Sequence, residues 1–277
     1  MTDVKLDLLL DPFDAHWPNF QDAALAAEEA GFDGIWTWDH LAGQAHGASR
    51  VLECWTVLSA LAAVVPRVAL GPLVLNVANR RAGVLATGAA TLQEVSGGRL
   101  LLGLGAGGGR KLPYPAEQLA TGVDVPADPV RRQQVIEMTT ALRQLWTGVA
   151  VPTEGEHHHL GSATGFIVPE PPPPIIIGAF GPKMATLAGR YGDGINTHSS
   201  SRELPALLEL ARAAHAESGR DPAAFVVTLS AVLSARSFDA DVLATFEALG
   251  VHRVVHLVHP PFDITAIRAL AVPRRDG

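Results

Sequence analysis

Ser96-Gly97-Gly98-Arg99-Leu100-Leu101-Leu102-Gly103-Leu104-Gly105-Ala106-Gly107-Gly108-Gly109 limits the fold of this chain more than any other stretch. Two glycines end a helix, a short apolar run follows, and a second glycine cluster stops it. Leu100 to Leu104 is too short for a helix and has no polar alternation. It therefore reads as a strand buried on both faces, the kind found in parallel sheets covered by helices. A glycine-rich loop at the carboxyl end of such a strand lets a ligand approach the backbone closely. The expectation is a parallel α/β barrel with its site on the carboxyl-end face.

The rest of the chain repeats that unit. Strands are expected at Val4–Leu10, Gly34–Trp38, Val68–Val77, Leu100–Leu104, Ile175–Ile177, Asp193–Asn196, Phe225–Leu233 and Arg253–Val258. Helices alternate with them. Pro18 opens the first, and Phe20, Ala23, Ala24, Ala27 and Ala30 give it one small apolar face before Gly31 caps it. Further helices are expected at Val51–Val65, Ala82–Val95, Val130–Trp146, Pro182–Arg190, Leu204–Ser218, Asp239–Leu249 and Ile264–Ala271. Eight βα units closing on themselves make a (β/α)8 barrel, with an open doubly wound sheet as the alternative. The 277 residues suit one such domain spanning 1–277, because these barrels run to about 250 residues.

Two excursions interrupt the rhythm. One follows strand four, from about Arg110 to Asp128, and carries Pro113, Pro115 and Pro126 without clear periodicity. The other precedes strand five, from Gly148 to Pro174, and reads as a short β-hairpin with an extended, proline-rich approach. Both are expected over the carboxyl-end face, where barrels carry function.

A net charge of −7 and the absence of a long basic run argue against a nucleic-acid partner. No stretch reaches the roughly 18 uninterrupted apolar residues of a membrane span. The first residues lack a signal-peptide layout, and the one cysteine, Cys54, permits no internal disulfide. Together these point to the cytoplasm.

Residues just after each strand are the chemical candidates: Asp11, Asp39-His40, Asn76 to Asn79, Gly105 to Gly109, Gly178 to Gly181, Thr197-His198 and His259. Gly178-Ala179-Phe180-Gly181-Pro182-Lys183 joins a strand to a helix start. Free amides and the positive end of the helix dipole there suit a phosphate; an ordinary tight turn is the other reading. A histidine side chain can both donate and accept, which makes His40 a candidate, with Asp39 either orienting it or capping the next segment. Neighbours in His157-His158-His159 point to opposite faces of a strand, so that run reads as a solvated hairpin and no metal site is expected. Cys54, in an apolar helix, reads as an inert buried thiol. No nucleophile elbow is present.

These residues resemble a family. Ala27-Glu28-Glu29-Ala30-Gly31-Phe32-Asp33-Gly34-Ile35-Trp36, ending in Asp39-His40, looks like the first βαβ unit of the bacterial luciferase-like superfamily. Ala89 to Gly105 is similar to its third helix and fourth strand. Gly178 to Gly181, with Leu187-Ala188-Gly189-Arg190-Tyr191-Gly192-Asp193-Gly194, is similar to its strand-five phosphate loop and following unit. Arg131 and Leu142 to Gly148 also fit. The resemblance covers residues 4 to about 200; beyond that only the rhythm matches.

The resemblance implies a (β/α)8 barrel binding FMN or the 5-deazaflavin coenzyme F420 over the barrel mouth. Asp39-His40 is similar to the pair of the deazaflavin-dependent members, which transfer a hydride between an organic substrate and the ring. It implies His40 and Asp39 as catalytic residues. Leu73-Val74, where relatives have a non-prolyl cis peptide, and Asn76 would flank the ring. Gly105, Ala106 and Gly107 would meet the phosphate together with Gly178, Ala179, Phe180 and Gly181. Glu117 is the carboxylate of family type in the first excursion. Asn79-Arg80-Arg81-Ala82-Gly83 keeps the family's arginine and loses its proline, and the proton donor stays open. The expected activity is a deazaflavin-dependent oxidoreductase acting on a small organic molecule. The alternatives are an FMN-dependent monooxygenase and a flavin-binding protein without turnover. A homodimer is also implied, with the helices at 51–65 and 82–95 as contact faces.

Overall fold

The computed structural model describes residues 3–231 and 239–270. Eight strands form the barrel: β1 Lys5–Leu10, β2 Gly34–Thr37, β3 Ala69–Pro72 with a continuation at Leu75–Asn76, β4 Leu102–Gly105, β5 Ile175–Gly178, β6 Gly194–His198, β7 Val226–Ala231 and β8 Arg253–Val258. Neighbours run parallel in the order β3-β2-β1-β8-β7-β6-β5-β4, and the Leu75–Asn76 continuation follows β4. The third strand closes the ring. Ala69–Pro72 pairs with β2, Leu75 and Asn76 pair with Leu104 and Gly105, and Leu70 bridges to Leu100. The sheet is therefore a closed (β/α)8 barrel, and the open doubly wound alternative is excluded.

The helices follow the expected alternation. They are α1 Trp17–Glu29, α2 Cys54–Val64, α3 Ala82–Val95, α4 Pro115–Ala120, α5 Asp128–Leu145, α6 Pro182–Tyr191, α7 Leu204–Glu217, α8 Ala240–Ala248 and α9 Ile264–Ala269. In α1 the buried face contains Phe20, Ala23, Ala24 and Ala27, as the spacing predicts. Helix α2 starts at Cys54, three residues late, because the Glu53 carboxylate caps the amides of Trp55 and Thr56. Val232 and Leu233 of the expected seventh strand, and Ala271, lie outside the described residues.

Two departures shape the site. The expected continuous strand from Val68 to Val77 is broken at the cis peptide Leu73-Val74, which lets one strand pair on both sides at different heights. The excursion after strand four also contains helix α4, which no periodicity announced because its first turn is set by Pro115 and it is only six residues long. The second excursion is a two-tier hairpin, with Val149–Ala150 against Ala163–Thr164 and Thr153–Glu154 against His159–Leu160. Its tip is less solvated than expected. The Glu137 carboxylate on α5 accepts the amides of Glu156, His157 and His158, and His157 and His158 are half-buried.

Inside the barrel the side chains stack in layers. Low down, the Asp7 carboxylate takes two bonds from Arg253, at 2.6 and 2.7 Å, and one from the Trp36 indole at 2.8 Å. This pairing satisfies a buried charge that would otherwise be costly. Above it lie Leu9, Trp36, Leu73 and Val255 as an apolar plug. The plug closes the barrel from below, so any ligand must enter from the carboxyl-end face.

Candidate active site

A cavity of about 630 Å³ opens on that face, within the range of about 300–1,000 Å³ typical of cofactor and ligand sites. Its walls include His40, Asp39, Leu73, Val74, Asn76, Gly105, Ala106, Gly107, Gly178, Phe180 and Gly181. The structure thus gathers these expected residues from four strand ends into one place. Ala179 is the exception. It is fully buried, and its amide donates to the Asn196 carbonyl at 2.8 Å, so it has no donor left for a phosphate.

His40 is held by an acid distant in sequence. Its Nδ1 lies 2.8 Å from Oε1 of Glu117, 77 residues along the chain on α4. Oε2 of Glu117 accepts the amides of Leu41 and Ala42 at 2.8 and 3.0 Å. Burial pushes the Glu117 carboxyl up, but the bonds from His40, Leu41 and Ala42 outweigh it and hold the group below its ordinary value of 4.5. An ionised carboxylate can only accept, so the hydrogen-bond network places a proton on Nδ1 of His40. Nε2 has no partner among the described residues and carries the lone pair in the Nδ1–H tautomer.

Asp39 does not orient His40, contrary to the first of its two expected roles. Its carboxylate takes a bidentate pair from Arg80, 2.6 Å on each arm, and the Asn76 amide at 2.8 Å. Asp39 thereby ties the end of β2 to the third strand beyond its break. This pairing gives a physical reason for the arginine kept at position 80, and its 41-residue separation explains why sequence spacing missed it. Asn76 is equally committed: its Nδ2 donates to Gln118, and its Oδ1 caps Ala78.

The glycines divide by cause. A Cβ on Gly105 would lie 2.5 Å from the Val74 side chain, and one on Gly178 would lie 3.0 Å from it. Both are glycine because the Leu73-Val74 bulge packs against the backbones of β4 and β5, a constraint internal to the protein. Gly181 differs: nothing lies within 4 Å of an added Cβ. It caps the N-terminus of α6, and the amides of Phe180 and Gly181 donate to no backbone carbonyl among the described residues. On α5, the Arg131 guanidinium donates to the carbonyls of Ala106 and Gly107 and to Asp128, fixing the loop after β4.

The opposite wall is aromatic, and sequence reasoning had singled out little of it. His46 stacks on Phe13, centroids 4.1 Å apart, and on Tyr114 at 5.1 Å, and meets His40 edge-on at 4.6 Å. Trp38, His46, Leu112 and Tyr114 all line the cavity. Burial and the neighbouring His40 push the His46 imidazole down, against the pull of Asp11 and Glu117. His259 pairs instead with Asp11, at 2.6 Å, outside the cavity lining. Among the described residues no group of three His, Cys, Asp or Glu side chains could hold a metal.

A family model described as luciferase-like monooxygenase matches residues 6–265. The chain belongs to the luciferase-like monooxygenase family. Within this luciferase-like family it is 37% identical over 179 residues to the F420-dependent glucose-6-phosphate dehydrogenase of Nakamurella multipartita, a match covering 64% of this chain and 51% of that protein. It is 32% identical over 200 residues to the F420-dependent hydroxymycolic acid dehydrogenase of Mycobacterium tuberculosis, covering 72% of this chain and 54% of that one. The matches thus span about half the length of these curated relatives. In structure the luciferase-like chain is similar to an F420-dependent secondary alcohol dehydrogenase, with a TM-score of 0.81, 20% identity and 99% of each chain covered.

Proposed function

We propose that the chain is an oxidoreductase that uses the 5-deazaflavin coenzyme F420 to move a hydride to or from a small organic substrate. The observation that carries this reading is the His40–Glu117 pair, which presents a proton-accepting Nε2 within the cavity. The F420-dependent names of the curated relatives support it.

The residues present fit such a coenzyme. Open space at Gly181, the free amides beside it and the N-terminus of α6 suit its phosphate. Leu73, Val74 and Asn76 form the cavity floor against which a flat ring can lie. When bound, the deazaflavin supplies a two-electron hydride acceptor or donor. The chain's own contribution is the proton. In substrate oxidation His40 Nε2 accepts the hydroxyl proton, and Glu117 stabilises the imidazolium that forms. In this reading Asp39 is a positioning residue that acts through Arg80 and Asn76.

The whole chain is proposed to work as one barrel unit, in the cytoplasm and as a homodimer. The apolar surface around Val84 and Val95, 73% and 55% exposed, supports a contact through α3. No described helix is long and apolar enough to cross a membrane. The function is tested by fluorescence titration of the purified protein with F420 and with FMN. Tight F420 binding, followed by substrate-dependent change in its absorbance, is expected. FMN binding without any response to F420 would instead support the flavin-dependent monooxygenase reading.

A further inference from the structure

Helix α4 inverts the usual burial pattern. Its polar Glu117 and Gln118 are 9% and 4% exposed, whereas its Leu119 is 58% exposed. Pro115 is the apolar residue it buries. An isolated helix of this length is marginal in water, and this one has almost no apolar face to dock with. Polar bonds therefore hold it at the cavity wall. Consecutive helical residues point about 100° apart, so Glu117 and Gln118 reach two different strand ends. Glu117 takes His40, Leu41 and Ala42, beyond β2. Gln118 Oε1 accepts from Asn76 Nδ2 at 2.8 Å, at the end of the third strand. Its Nε2 donates to the Asp124 carbonyl at 2.6 Å, in the turn that follows α4.

We propose that Gln118 is a positioning residue for the base: it latches α4 to the third strand and so holds the Glu117 carboxylate on His40. Its bearing on catalysis rests on the reading of His40 as proton acceptor; the latch itself rests on geometry. Glu117 grips one strand end only, and a second grip is needed to stop the helix turning about the first. Glutamine suits that post because its side chain both accepts and donates. Asn76 Oδ1 is committed to the Ala78 amide, so the amide group of Asn76 turns its Nδ2 to Gln118. A glutamate at 118 would accept from Asn76 but oppose the Asp124 carbonyl. An apolar residue would leave both partners unpaired, which is costly for buried groups.

The experiment is amide hydrogen exchange on the full chain free of coenzyme, so its outcome is independent of which coenzyme the protein uses. The probes are the Leu41 and Ala42 amides, which donate to Glu117. The amide of Leu8, fully buried in β1, is the internal reference. Gln118→Met keeps the side-chain length and removes both bonds. Leu41 and Ala42 are expected to exchange at least about tenfold faster than in the wild type, with Leu8 unchanged. The nitrogen NMR signals of His40, recorded above the titration range of histidine, are expected to move from the Nδ1–H form towards Nε2–H. Leu119→Ala, on the exposed face of the same helix, is expected to leave both readouts at their wild-type values. Gln118→Asn, one carbon short of spanning both partners, serves as the same test if the methionine variant does not fold. Exchange within about twofold of wild type in the Gln118 variant, or equal acceleration in Leu119→Ala, overturns the latch. Accelerated exchange with unmoved His40 signals overturns its link to the base.

Discussion

Replacing Glu117 with glutamine tests the proton chemistry with the smallest change in shape. The carboxylate collects three donors: His40 Nδ1 on one oxygen, and the amides of Leu41 and Ala42 on the other. Glutamine offers one oxygen and one NH2. If the NH2 faced the two backbone amides, donors would oppose donors, at a cost of about 1–3 kcal/mol for each bond lost. The oxygen therefore stays on the amides and the NH2 turns to His40. His40 Nδ1 must then accept, so its proton moves to Nε2, and the nitrogen facing the cavity can no longer take a proton. Loss of general-base catalysis lowers the rate about 10²–10⁴-fold, or about 3–5 kcal/mol in the barrier. Stability should fall by only about 1–2 kcal/mol, because the three charge-assisted bonds are kept as neutral ones. The assay is single-turnover coenzyme reduction followed by absorbance, with coenzyme Kd measured by fluorescence. A Glu117→Gln rate within about threefold of wild type, at unchanged Kd, would refute the assignment of Nε2 as the base.

Three further outcomes follow from the same geometry. Gly181→Asp introduces a carboxylate into open space without a clash; at about 5 Å from a bound phosphate the repulsion is about 3 kcal/mol, so coenzyme affinity measured by fluorescence should fall about a hundredfold. Gly105→Ala places a Cβ 2.5 Å from Val74 and should destabilise the fold by about 1–3 kcal/mol in urea titration, with Val74→Ala restoring part of the loss. In Glu53, Glu117 and Glu137 burial pushes the carboxyl up, but hydrogen bonds prevail and hold each below its ordinary 4.5. Their stabilisation is complete above that value and is lost as pH falls through the lowered folded values, so thermal melts should show Tm dropping below about pH 4.5. Glu117→Gln should remove part of that drop, and an unchanged slope would count against its share.

What the sequence by itself determined was local. Apolar runs between glycines located the strands, 3.6-residue spacing located the helices, and strand ends located His40 and the Gly178–Gly181 turn, whereas the Leu73-Val74 position came from the family resemblance. These signals suffice because each lies within one element and its own cap. The tertiary structure decided which groups meet. Glu117 reaches His40 across 77 residues from a short helix with no periodic signal, and Arg80 takes Asp39 across 41. It also divided the glycines: Gly105 and Gly178 make room for Val74, whereas Gly181 leaves space for a ligand. Ala179, in the middle of the expected phosphate loop, gives its amide to Asn196 on the next strand. Each of these facts depends on barrel closure, which fixes the heights of neighbouring strands and so the partners of every side chain at the mouth. No periodicity within a single segment encodes that register.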